Sequence, residues 1–144
     1  ELLQNFRTKI TQKNINEAIE TLAQRLAEQS HIRVHTEWHG NGAPLTPSQQ
    51  LQFIFILQES LSNIRKHAQA QNVTIRIDNQ QDYTLTITDD GIGFNPHTER
   101  TADHIGLNIM QERAQRIRAR LSIQSQQNHT RIQLTLPKKE RNQT

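Results

Sequence analysis

Apolar residues recur at helical spacing in three stretches of this chain and alternate with polar residues in five others. Ile15, Ile19, Leu22 and Leu26 define a first amphipathic helix, with Asn14 placed to cap its N-terminus. Between residues 31 and 38, Ile32 and Val34 alternate with polar neighbours at strand period, and the turn-rich stretch 40–47 interrupts it. A long helix is expected over residues 47–70. Val73, Ile75 and Ile77, then Leu85 and Ile87, alternate on either side of a turn at 79–82, which predicts a hairpin. Residues 95–104 contain Pro96 and no period, so they read as a loop, and Gly106 opens a third helix carrying Leu107, Ile109, Met110 and Ala114. Two more strands are expected at 121–123 and 130–136. This order predicts an α/β (α+β) two-layer sandwich: a mixed, mostly antiparallel sheet of about five strands with three helices on one face.

Composition narrows the classes without changing that picture. A chain of 144 residues accommodates one hydrophobic core. The apolar fraction is 33% and the mean hydropathy −0.81, but much of the polarity is Gln and Asn, which coat folded surfaces. The longest apolar run, residues 53–57, is far short of the roughly 20 that span a membrane. The chain opens on Glu1 without a signal segment, as expected of a piece of a longer protein. Residues 1–12 read as the end of a preceding helix and linker, 13–137 as one folded domain, and 138–144 as a polar tail. Zero cysteines exclude disulfides, thiolate metal sites and Cys nucleophiles, and fit a reducing cytoplasm. The net charge is only +3, and the basic stretches at 113–120 and 138–141 read as a solvated helix face and a tail, so no nucleic-acid partner is expected.

The long helix has two chemically different faces. At about 100° per residue, Leu57, Leu61, Ile64 and Ala68 share one sector and form its buried stripe, while Glu59, Asn63, Lys66 and His67 lie opposite. A carboxylate, a carboxamide, an ammonium and an imidazole along two turns suit a bound metal–triphosphate: an Asn oxygen ligates a hard cation, and a Lys offsets phosphate charge. The same ridge would also serve as an ordinary solvated face.

A second candidate is Asp89-Asp90-Gly91-Ile92-Gly93-Phe94 at the end of a strand. Asp-Gly is a common turn dipeptide; read functionally, Asp89 accepts a hydrogen bond from the exocyclic amine of adenine, and Gly91 and Gly93 let the backbone approach the base. Rival glycine motifs fail. There is no G-x-x-x-x-G-K-[ST] loop, Pro96 stands where a dinucleotide fingerprint wants its third glycine, and the acidic positions of a calcium loop are absent.

The segment Gln58-Glu59-Ser60-Leu61-Ser62-Asn63-Ile64-Arg65-Lys66-His67-Ala68, followed by Asp89 to Phe94, resembles the N box and first G box of the GHKL ATPase superfamily. His104-Ile105-Gly106-Leu107-Asn108-Ile109-Met110-Gln111-Glu112-Arg113-Ala114 is similar to the second G box of histidine kinases related to the nitrate/nitrite sensors. The resemblance implies a Bergerat fold binding ATP and Mg²⁺. It places Asn63 on the metal with Glu59 in support, Lys66 and His67 near the phosphates, and Asp89, Gly91 and Gly93 around adenine. Residues 95–104 would form a lid with Gly106 and Leu107 at its far hinge. Thr130 would help bind adenine, although His129 precedes it where relatives usually carry Gly.

It also implies partners. These are a dimerisation domain, whose helix end would be residues 1–12, in a homodimeric inner-membrane protein, and a response regulator. None of the seven histidines has the acidic setting expected of a phosphoacceptor, so that residue is expected upstream of Glu1, and the fragment should bind ATP without autophosphorylating. His31, His35 and His39 read as surface residues of a strand rather than metal ligands. The alternatives are another GHKL chemistry, such as an anti-sigma-factor-like serine kinase or an ATP-driven clamp, and a non-catalytic binding module.

Overall fold

The computed structural model describes residues 15–92 and 101–141, with side chains described from residue 106 onward in the second stretch. Helix α1 (Ile15–Gln29) buries Ile15, Ala18, Ile19, Leu22, Ala23 and Leu26, the stripe that its spacing predicts. Strand β1 (Arg33–His39) leads into α2 (Pro47–Asn63), which a capping box opens. Thr46 Oγ1 accepts from Gln49 N–H at 3.3 Å, and Gln49 Oε1 accepts from Thr46 N–H at 3.0 Å. The hairpin β2 (Asn72–Asn79) and β3 (Tyr83–Asp89) follows, then α3 (Thr101–Arg116), β4 (Arg120–Gln126) and β5 (His129–Leu136).

The five strands form one sheet in the order β1-β2-β3-β5-β4, parallel between β1 and β2 and antiparallel elsewhere. The three helices of the described residues cover one face. The buried positions Val73, Ile75 and Ile77 of β2, Leu85 and Ile87 of β3, and Ile132, Leu134 and Leu136 of β5 alternate toward them, meeting Phe53, Ile54, Ile56 and Leu57 of α2. Helix α2 is the middle element, packed against α1, α3 and β3. Its burial therefore extends beyond one stripe.

Four expectations are corrected. The long helix does not run as an α-helix to residue 70. It passes into a π-helical turn over Ile64–Ala68 and stops where Gln69 adopts a left-handed φ of 54°. A π-turn inserts a residue into the i→i+4 ladder and rotates all that follows, so Lys66 and His67 do not sit where a 100° step puts them. The third helix begins at Thr101, ahead of Gly106, so residues 101–104 are helical rather than loop; residues 95–100 of the expected loop lie outside the described residues, as do Asn14 and residues 1–9.

The segment read as a polar tail is not all solvated. After a short 3₁₀ turn (Lys138–Glu140), Arg141 is only 8% exposed. Its guanidinium donates to the carbonyls of Gln80 at 2.7 Å and of Ala43, and lies 5.6 Å from the Tyr83 ring centroid. Gln49 Nε2 donates to the carbonyl oxygens of Glu140 and Arg141, and Asp82 accepts from Lys138 N–H. These bonds tie residues 138–141 to the β2–β3 turn, the β1–α2 loop and the first turn of α2. The basic stretch 113–120 is likewise not entirely free in solvent, since the Arg113 guanidinium lies over the Phe55 ring at 3.9 Å.

Candidate functional site

The polar ridge of α2 survives its first two members. Glu59 and Asn63 are half-buried, one turn apart, while Lys66 and His67 are exposed in the π-turn. On the opposite side Leu57, Leu61 and Ile64 are buried and Ala68 packs against the core, as the stripe requires. Ser60, beside the ridge, is fully buried; its hydroxyl donates to the Ile56 carbonyl at 2.8 Å and touches Met110 Sδ at 3.6 Å, which fastens α3 against α2.

Asp89 ends β3 with its side chain turned toward the helices, only 4% exposed. Its Oδ1 accepts from Gly91 N–H at 2.8 Å, and among the described residues no other donor reaches the carboxylate. Burial pushes the carboxyl above the usual aspartate range; the Gly91 N–H opposes that rise, Asp90 adds to it and His129 opposes it. A buried carboxylate with an oxygen to spare suits an N–H donor arriving from a ligand.

Gly91 is required for a reason besides the expected one. A β-carbon there would meet the backbone carbonyl of Ala68, and Ile92 N–H donates to that same oxygen at 2.7 Å. The glycine lets the loop close onto the end of the helix that carries Glu59 and Asn63. Asp90 secures the same junction, its carboxylate accepting from Gln71 N–H, Asn72 N–H and Asn72 Nδ2 at 2.8–2.9 Å. Those bonds hold the Asp90 carboxyl below the usual range, the Asn72 side chain contributing most. Asp90 escaped the sequence reading because its partners lie some eighteen residues away. Gly93 lies outside the described residues.

Thr130 is the cross-strand partner of Asp89 in the β3–β5 ladder and is equally buried, at 4%. Directly opposed residues share a face, so the two polar groups stand side by side under the helices. The ladder runs unbroken through this pair, with His129 starting β5 after a turn in which Asn128 has φ 65°. His129 in place of glycine therefore leaves the Thr130 backbone regular. The next strand adds Ser125, paired with Thr130 and with its hydroxyl 3.0 Å from Thr130 Oγ1. Sequence reasoning missed Ser125, although it and Thr130 flank the two-residue turn 127–128 symmetrically.

Gly106 faces Glu59: a β-carbon at Gly106 would lie 3.1 Å from Glu59 Oε2. Leu107 is half-buried against the core. The α3 segment thus meets the helix at Glu59, and the Asp89 loop meets the same helix two turns later at Ala68. His35 and His39 lie elsewhere, on the open face of β1, with Nε2 atoms 3.5 and 3.4 Å from Glu37.

Residues 48–140 match the family of histidine kinase-, DNA gyrase B- and HSP90-like ATPases. The chain is 32% identical over 140 residues to a sensor protein NarQ homolog of Haemophilus influenzae, covering 95% of this chain and 24% of that protein. It is 29% identical over 119 residues to the nitrate/nitrite sensor protein NarX of Escherichia coli K12, covering 82% and 20%. It therefore spans about a quarter or less of the length of these relatives. Among solved structures, the blue-light activated histidine kinase of Erythrobacter litoralis EL346 superposes with a TM-score of 0.72 at 16% identity, over 88% of this chain and 42% of that one. The Acinetobacter baumannii histidine kinase AdeS gives 0.68 at 12% identity, over 85% and 64%. With the match running from the second residue of α2 to the penultimate described residue, the chain belongs to the histidine kinase-, DNA gyrase B- and HSP90-like ATPase family and is an ATP-binding domain of that fold.

Proposed function

We propose that this domain is the catalytic, ATP-binding part of a two-component sensor histidine kinase of the nitrate/nitrite type. It would transfer the γ-phosphoryl group of ATP to a histidine on a dimerisation domain, for relay to a response regulator. The observation that carries the reading is the Asp89–Thr130 pair, two buried polar groups set side by side at the end of the sheet and joined through Gly91 to the helix bearing Glu59 and Asn63.

In this reading Asp89 accepts a hydrogen bond from the adenine amine and thereby disfavours guanine, which carries a carbonyl there. Gly91 and Gly93 shape the loop beside the base, and Thr130 contributes its hydroxyl. The donor set on α2 fits Mg²⁺, since Asn63 and Glu59 offer hard oxygens half-shielded from water. Asn63 would ligate the ion directly and Glu59 would hold it through water, while the ion neutralises triphosphate charge. Lys66 and His67 would face the phosphates, with Gly106 and Leu107 near them on α3. Catalysis then rests on positioning and charge neutralisation.

The nitrate/nitrite assignment is supported by the relatives named above. The whole protein would be a homodimer in the inner membrane, its phosphoacceptor on the dimerisation domain; this piece alone binds ATP and does not autophosphorylate. Calorimetry with Mg-ATP tests the site: the chain should bind, and Asp89→Asn, which turns an acceptor into a donor, should bind at least about tenfold more weakly. Absence of heat at millimolar nucleotide, or an unchanged affinity in the variant, would overturn the assignment. Joined to its dimerisation domain, the protein should form an acid-labile phosphohistidine; an acid-stable phosphoserine on a partner would point to the serine-kinase alternative.

A further inference from the structure

The polar row at the end of the sheet does not stop at Asp89 and Thr130. The registers Asp89↔Thr130 and Thr130↔Ser125 set three polar side chains on one face across β3, β5 and β4. Ser125 continues the inward-facing positions Leu121 and Ile123 of β4, both of which pack against the core. A hydroxyl at that place stands where the apolar face ends. Ser125 Oγ and Thr130 Oγ1 are 3.0 Å apart, and either atom has the geometry to donate.

The direction of that bond decides what Thr130 offers to a neighbour. Each hydroxyl has one proton and two lone pairs. If Thr130 donates to Ser125, it presents only lone pairs to anything else. If Ser125 donates, the Thr130 proton is released to a second acceptor. The Watson–Crick edge of adenine carries an amine donor beside the N1 acceptor, whereas that of hypoxanthine carries a carbonyl acceptor beside an N1–H donor. An Asp89 acceptor beside a Thr130 donor matches adenine, and reversing the hydroxyl pair weakens that match.

We infer that Ser125 is a positioning residue for base recognition: its hydroxyl donates to Thr130 Oγ1, so that Thr130 turns its own proton toward the nucleotide and the Asp89–Thr130 pair reads adenine rather than a 6-oxopurine. The inference rests on the nucleotide-site reading above and adds to it the residue that sets hydroxyl polarity. Ser125 itself need not touch the base.

Mg-ATP and Mg-ITP binding, measured by calorimetry on the full chain, test it. Ser125→Ala should weaken ATP about three- to tenfold while leaving ITP unchanged or tighter, so the ATP-to-ITP preference falls. Ser125→Thr, which keeps a hydroxyl on a strand-compatible side chain, should restore the preference. An unchanged preference in Ser125→Ala overturns the inference. So does an equal loss of both nucleotides together with a lowered thermal midpoint, which would mark Ser125 as packing alone. Thr130→Val separates the two levels. If it lowers the preference while Ser125→Ala does not, only the role of Ser125 is lost; if it changes neither nucleotide, the site reading fails and the inference with it.

Discussion

Asp89 and Asp90 are adjacent carboxylates with opposite electrostatic fates, because among the described residues one is buried with a single donor and the other is exposed with three. Their contributions to stability consequently have opposite signs against pH. The folded pKa of Asp89 is raised, so the folded state binds the proton more readily, and stability falls as pH rises from the unfolded value of about 3.9 through the folded one. The folded pKa of Asp90 is lowered, so its stabilisation is present above about 3.9 and lost as pH falls through the folded value. Asp90→Asn should flatten the acid limb of a thermal-midpoint profile below about pH 4; an unaltered slope there would discount the three bonds. Asp89→Asn retains an Oδ1 for Gly91 N–H and removes an ionisable group from a buried site, so it should not lower stability at neutral pH even as it impairs nucleotide binding.

At the scale of elements, two glycines mark where segments meet α2, and they answer differently to the same substitution. At Gly91 a β-carbon meets the backbone carbonyl of Ala68, which cannot move without shifting the helix end. Gly91→Ala should cost about 1–3 kcal/mol, read as a lower urea midpoint at unchanged m-value. At Gly106 the neighbour is the flexible end of Glu59. Because Ala exceeds Gly in helix propensity by about 1 kcal/mol, Gly106→Ala should hold or raise stability. Its effect should appear instead in phosphoryl transfer by the protein joined to its dimerisation domain, through a displaced Glu59 carboxylate, and a stability loss matching that of Gly91→Ala would refute the distinction.

Across the whole molecule, Arg141 closes the fold. Its side chain bonds to carbonyls from two loops, and the adjoining carbonyls take up the Gln49 amide at the start of α2. Burial lowers the pKa of its guanidinium, which the nearby Tyr83 and Asp82 partly restore. Arg141→Ala would strand those carbonyls and uncover the Tyr83 ring, which stacks edge-on to Phe53 at 5.0 Å. The expected loss is about 2–4 kcal/mol, measured by chemical denaturation; a loss below about 0.5 kcal/mol would show the tail to be dispensable.

Among the described residues, periodicity alone determined the three helices, the five strands and most core positions, because a 3.6-residue or two-residue repeat of apolar side chains has only one way to bury its face. The order of the motifs likewise made Glu59, Asn63 and Asp89 legible as candidates. What required the tertiary structure was everything set by contacts between segments distant in the chain. The π-turn changed the facing of Lys66 and His67. Gly91 proved to be needed by Ala68, Asp90 to fasten Asn72, and Arg141 to belong to the core. Above all, the strand order β3-β5-β4 placed Asp89, Thr130 and Ser125 in one row. No local pattern encodes that row, because register is a property of paired strands and each strand carries only its own half of it.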